Sequence, residues 1–282
     1  MSPLPSSDHA AQIAQGRRFD FGANWQHFLA GLTEAQIVEA ERSLSGMLGV
    51  EDLTKTSFLD VGSGSGIASL AARRLGARVH SFDFDPRSVA CTRELRSRFF
   101  ADDPLWTIDE GSVLDEDYLA ALGKFDLVYA WGVLHHTGAL RQALANVVIP
   151  MTPGGRLFIA IYNYQRYWTR LNTRLKRAYV ASPAPLRALA AGMFVGARAA
   201  KGLIEDLAQA RHPLARYRSY NQHRGMSWWH DSLDWLGGYP YEAATCQEIF
   251  DFYQARGFVL ERLVDCGHSG CNQFVFRHAL ST

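Results

Sequence analysis

Between residues 57 and 161 short apolar runs alternate with longer stretches of helical spacing. Residues 58–61, 77–83, 125–131 and 156–161 read as strands, and residues 106–114 as a further strand with its loop. The run 67–75 has helical periodicity, and Asp85 before Pro86 supplies a cap and a first helical turn. Strands separated by helices predict a parallel sheet covered on both faces. Upstream, Thr33 opens a helix with Ile37, Ala40, Leu44 and Leu48 on one face. Downstream, residues 245–257 read as a helix with Ile249, Phe252 and Tyr253 inward and Gly257 as its stop. Phe258–Val264 and residues 273–277 then read as two closing strands joined by a glycine-containing turn.

The rhythm breaks after residue 161. Residues 166–224 hold twelve Lys or Arg and only two acids, Glu205 and Asp206. Trp168, Leu171, Leu175 and Tyr179 form one helical stripe, residues 182–186 mark a break, and Leu186, Leu189, Met193 and Phe194 form a second stripe. The longest uncharged run there, ten residues, is too short to span a bilayer. This basic insert has three readings: a solvated helical face, a dock for an anionic acceptor, or an amphipathic pair on anionic lipid beside a lipid-like acceptor. RNA fits less well, because basic and aromatic residues form no compact stacking platform.

The chemistry concentrates where the first strand runs into Gly62, Gly64 and Gly66. Glycines there let the backbone turn tightly and approach a ligand. The dinucleotide fingerprint G-x-G-x-x-G would need its third glycine at Ile67, one residue later than it occurs. Asp60 in the strand end suits a ligand with positive charge near the turn better than a pyrophosphate. Asp83 ends the second strand about 20 residues on, where an acid accepts hydrogen bonds from ribose hydroxyls.

These features resemble motif I of class I S-adenosylmethionine-dependent methyltransferases. Residues 106–114 resemble that family's third strand and adenine loop, 125–137 its motif IV, and 153–155 its turn into strand five. Residues 21–25, 224–242 and 270–276 resemble a bacterial small-molecule subgroup of the same family. The resemblance implies an α/β fold, a Rossmann-like seven-stranded, mostly parallel sheet with a terminal antiparallel hairpin and a helical cap. It divides the chain into an N-terminal tail and helix over the cofactor site (1–50), the cofactor-binding core (51–161), the helical acceptor cap (162–244) and the closing helix and hairpin (245–282). S-adenosylmethionine is the implied cofactor. Asp60, Gly62, Ser63, Gly64 and Gly66 would take its methionine end, with Asn24 and Trp25 closing over it; Asp83 and Phe84 would take the ribose, and Ser112 with Val113 the adenine. Ser112 stands where many relatives have an acid, which would leave that contact to backbone.

Trp131 and the residues after it, like Tyr162 and Asn163, face the reaction from the strand ends. His135 and His136 are candidate proton shuttles, or a helix cap and pocket wall; His136 is preferred. Asn163 would orient the acceptor or the methionine carboxylate, or cap the next helix. Residues 224–242 read as a substrate lid, with Arg224, Trp228, Asp231, Tyr239 and Tyr241 beside Tyr162 as acceptor contacts, or as a segment burying its tryptophans. The implied reaction is methyl transfer to a small molecule, with oxygen mildly favoured over nitrogen or sulfur. A nicotinamide oxidoreductase and a non-catalytic cofactor-binding scaffold remain as alternatives.

Composition narrows the class further. The chain has 282 residues, 48% apolar, with a formal charge of +1, so no global field calls for nucleic acid. Cys91, Cys246, Cys266 and Cys271 form no C-x-x-C pair, which fits a reduced, cytoplasmic setting. Cys266 and Cys271 flank His268, but the spacing suits a hairpin turn with free thiols better than zinc. Residues 1–16 read as a mobile tail without a secretory signal. Assembly state is open.

Overall fold

The computed structural model describes residues 5–209, 212, 228–267 and 270–279. Seven strands form one sheet in the order β3-β2-β1-β4-β5-β7-β6. They are β1 Ser57–Val61, β2 Arg78–Asp83, β3 Trp106–Glu110, β4 Phe125–Trp131, β5 Met151–Tyr162, β6 Phe258–Val264 and β7 Cys271–His278. The first five run parallel; β7 pairs antiparallel with both β5 and β6. The helices are α1 Pro5–Ala14, α2 Phe21–Ala30, α3 Glu34–Leu48, α4 Ile67–Arg74, α5 Pro86–Phe99, α6 Glu116–Ala121 and α7 Leu140–Asn146. They continue with α8 Arg166–Ala181, α9 Ala184–Ala208, α10 Trp228–Gly237 and α11 Cys246–Gln254.

Local chemistry explains the element ends. Thr33 and Gln36 form a capping box at α3, as do Thr245 and Glu248 at α11. The Asp85 carboxylate accepts from the Arg87 N–H at the start of α5. One face of the sheet buries Val61, Val128, Leu144, Ile249 and Tyr253; the other buries Ile37, Leu70, Leu95 and Trp106. Phe252 only borders the first layer, so the inward face of α11 is narrower than its periodicity predicts.

Four expectations need correction. Residues 153–155 are no turn before a strand. Met151 already pairs with Phe125, and a bulge between Phe125 and Leu127 lets the strand continue through Gly154 at φ +76°. The N-terminal stretch is no free tail, because α1 buries His9 against Phe84 and Asp85. On α8 the inward residues are Thr169, Asn172, Lys176 and Val180, whereas Trp168 and Leu175 are exposed. On α9 Ala191, Val195 and Gly202 face inward, and Leu186, Leu189 and Met193 point to solvent. The reason lies in α10. Its Trp235 ring sits 4.5 Å from the Lys176 ammonium and stacks on Phe194, so α8 and α9 are oriented by these contacts. Periodicity located both stripes but not the side that would find a partner.

Candidate functional site

The parallel register of β1, β2 and β4 brings Gly62, Asp83 and Trp131 together at the carboxyl edge of the sheet. After Val61 the chain turns through Gly62 and Gly64 at φ +75° and +55°. A Cβ on Gly62 would meet Val133 at 2.5 Å, and one on Gly64 would meet the Trp25 ring at 3.2 Å. The Gly62 and Ser63 N–H groups donate to the Phe82 carbonyl, and the Gly64 N–H donates to Asp83 Oδ2 at 2.9 Å.

Gly66 has another task. A Cβ there would lie 2.9 Å from the Thr92 Cα, so this glycine lets α4 approach α5. The Ser63 hydroxyl lies 2.9 Å from the Thr92 hydroxyl, behind the turn. Asp60 also faces away from the turn. Trp106 Nε1–H donates to Ser81, whose hydroxyl lies 2.6 Å from that of Ser69, and Ser69 donates to Asp60 Oδ2 at 2.5 Å. Burial pushes the Asp60 carboxyl up to about 7, against the Ser69 hydrogen bond and with help from the Asp83 charge. Direct contact of Asp60, Ser63 or Gly66 with a ligand does not follow from this geometry; all three support the turn from behind.

Asp83 stands at the cavity wall. Its oxygens accept the Gly64 and Asp85 N–H groups, each at 2.9 Å, yet burial still raises its carboxyl to about 6. The N-terminal helices roof this position. Gly22 N–H donates to Asp85 Oδ2 at 2.8 Å, Arg18 lies 5.1 Å from the Phe84 ring centre, and His9 meets the same ring edge-on. Burial lowers the His9 pKa, with Asp85 3.6 Å away opposing it.

The enclosed volume is about 760 Å³. Of the residues singled out in sequence, Trp25, Gly62, Gly64, Asp83, Phe84, Ser112, Val113, Trp131 and His136 line it. So do Val133 and Thr137, from the stretch after β4 expected to face the reaction, and His9, Gln12, Arg18, Phe21, Gln142 and the acids Asp115, Glu116 and Asp117, to which sequence reading gave no role. The acidic run that begins three residues after Ser112 was the available signal for the last three. Only the α1 helix, read as a tail, could have revealed His9 and Gln12. Asn24 is turned elsewhere: its Nδ2 donates to Asp234 Oδ1 at 2.5 Å and ties α2 to α10.

The two histidines have unlike surroundings. His136 Nδ1 lies 2.6 Å from the Pro240 carbonyl, an acceptor only, so Nδ1 carries the proton and Nε2 keeps its lone pair. Burial pushes the His136 pKa down to about 3, outweighing that hydrogen bond, with the Lys176 and Arg18 charges adding to it. His135 is fully buried between His136 and Tyr162 and lines no part of the cavity. Burial first, then His136 and Lys176, lower its pKa well below the usual imidazole value; the Ala160 backbone is near, but no ring nitrogen makes a well-aligned bond.

Tyr162 and Tyr241 pack behind this pair with ring centres 5.1 Å apart and planes tilted by 49°, and form a wall outside the cavity. Lys176 is buried against Trp235 and Tyr241, and burial lowers its pKa to about 7. The Asn163 main chain donates its N–H to the Gly270 carbonyl and bridges to Ala244. Gln165, not Asn163, occupies the N-cap position of α8, without a side-chain capping bond. Tyr239 accepts the Phe19 N–H, and Trp228 lies under Arg198. Arg224, the Asp231 side chain and His268 lie outside the described residues. Among the described residues no group of three His, Cys, Asp or Glu side chains is placed to hold a metal.

A family model for a methyltransferase domain matches residues 59–157, the stretch from β1 to β5 that builds this cavity. Residues 59–157 form a methyltransferase domain. Over 116 residues it is 30% identical to a ubiquinone biosynthesis O-methyltransferase of Methylobacterium sp., covering 41% of this chain and 45% of that protein. A ribosomal protein L11 methyltransferase of Agathobacter rectalis is 35% identical over 101 residues, covering 34% and 28%. The chain thus spans less than half the length of these relatives. In fold it is similar to the magnesium protoporphyrin IX methyltransferase of Synechocystis PCC 6803, solved with bound SAH: TM-score 0.56, 13% identity, covering 95% of this chain and 100% of that one. The methyltransferase domain's residues fit S-adenosylmethionine. The turn leaves no space for a Cβ at Gly62 and little at Gly64, and an acid at the end of β2 opens on the same cavity.

Proposed function

We propose that this chain transfers a methyl group from S-adenosylmethionine to a small-molecule acceptor, with oxygen the preferred methylated atom. One observation carries the reading: His136, with its proton fixed on Nδ1, lines the same cavity as the glycine turn and Asp83. Gly62 and Gly64 receive the methionine end under Trp25, and Asp83 beside Phe84 receives the ribose. The adenine lies by Ser112 and Val113, where the carboxylates at 115–117 accept from its amino group. When bound, the cofactor supplies a methyl group already activated on a positive sulfur.

What remains for the chain is positioning and exclusion of water. The roof of α1 and α2 excludes water. His136 Nε2 accepts a hydrogen bond from the acceptor hydroxyl and aims its oxygen. As the C–O bond forms and the C–S bond breaks, the hydroxyl proton passes to Nε2, which at a pKa of about 3 is still a stronger base than the methylated oxygen and gives the proton up to solvent when the site opens. Relatives named as O-methyltransferases of ubiquinone biosynthesis favour oxygen. An anionic or lipid-linked acceptor would match the basic cap. Incubation of the protein with methyl-labelled S-adenosylmethionine and fractionated cell extract tests the reading. Label is expected in the small-molecule fraction. Label in protein or RNA, or no label, contradicts it.

A further inference from the structure

The outward side of α9 carries no charge. Leu186, Leu189, Met193, Ala200, Ile204 and Leu207 recur at steps of three, four and seven, so they share one face. All are exposed; Met193 and Ile204 are each 68% accessible. The helix is not loosely held, because Val195 and Gly202 are buried on its opposite side and Phe194 stacks on Trp235. On α8, Trp168 and Leu175 are exposed too, beside the exposed Arg166, Arg170, Arg174 and Arg177. Of the two acids on this helix pair, Asp206 is buried and Glu205 lies 3.8 Å from Lys201. An apolar face of this length is more than a soluble surface ordinarily leaves open.

We propose that the α8–α9 pair docks on the surface of an anionic lipid bilayer. The α9 stripe enters the boundary between head groups and acyl chains, and the α8 arginines meet lipid phosphates. Charge decides for lipid over a second copy of the chain. Self-pairing across this face would bring two sets of arginines together, and on these two helices only Glu205, already 3.8 Å from Lys201, could answer them. The pair lies on the bilayer, since no helix among the described residues is long and apolar enough to cross it. This inference goes beyond the methyl-transfer reading and does not rest on it.

Flotation of the full chain with vesicles tests it. Binding is expected to vesicles of phosphatidylcholine with about 30% phosphatidylglycerol, weakly or not at all to phosphatidylcholine alone, and to fall as salt rises. Leu189→Asp with Met193→Asp should lower binding at least about tenfold. Arg170→Glu with Arg174→Glu should remove the preference for anionic lipid. Unchanged circular dichroism and S-adenosylhomocysteine affinity certify that the variants are folded. No flotation with either vesicle, or undiminished flotation of the Asp variant, overturns the proposal. So does a dimer that the Asp variant dissolves in the absence of lipid binding.

Discussion

A single carbonyl sets what His136 can do. Donation to Pro240 fixes the tautomer, and burial keeps the ring neutral. His136→Ala should lower kcat about 100-fold while S-adenosylhomocysteine affinity, read by calorimetry, stays within about twofold. No ionisation of this ring should appear in the kcat/KM profile between pH 5 and 9, because its pKa of about 3 lies below that window. Asp83→Asn keeps the side chain's shape but removes a charged acceptor. Cofactor affinity should drop at least about tenfold with the fold intact, and unchanged affinity would reject the ribose assignment. At this scale the sequence made Gly62, Gly64, Asp83 and His136 legible, because strand ends fix where they must lie. It misplaced Asp60: a carboxylate at a strand tip can point to the ligand or back to the following helix, and only Ser69 and Ser81 decide. His135 was equally undetermined, since adjacent residues in a turn face opposite sides.

Elements were easier to read than their facing. The parallel sheet, the helix starts at Thr33 and Asp85 and the closing hairpin follow from alternation, turn residues and the family resemblance. The inward sides of α8 and α9 do not, because they depend on α10, whose Trp235 takes Lys176 and Phe194 as neighbours. The N-terminal helix was missed because a short polar amphipathic run gains its helical state from docking on Asp85 and Phe84, a tertiary contribution. Gly66→Ala would force a Cβ against the Thr92 backbone at φ +83° and should cost about 1–3 kcal/mol of stability, measured by denaturant unfolding. A cost below about 0.5 kcal/mol would show that α4 can move away from α5.

For the whole molecule, two buried groups impose opposite pH dependences. Asp60 titrates near 3.8 when unfolded and about 7 when folded, so the folded state binds the extra proton between those values. Its contribution to stability therefore falls as pH rises through that window. Lys176 titrates near 10.5 unfolded and about 7 folded, so the unfolded state holds the extra proton from 7 to 10.5, and stability rises with pH there. In the lower window Asp83 acts with Asp60 while His135 and His136 act against it, so each slope is read in thermal unfolding as the difference between the ligand-free protein and its variant. Asp60→Asn should flatten the lower one and Lys176→Met the upper one, each raising the midpoint near pH 7. Both burials are sustained by the same architecture that shapes the donor cavity, which is the central claim. A crystal structure with S-adenosylhomocysteine bound tests it most directly. The account predicts the ribose on Asp83, the adenine beside Ser112 and the sulfur on the His136 side of the cavity; a nucleoside bound elsewhere, or turned with its base toward His136, would contradict it.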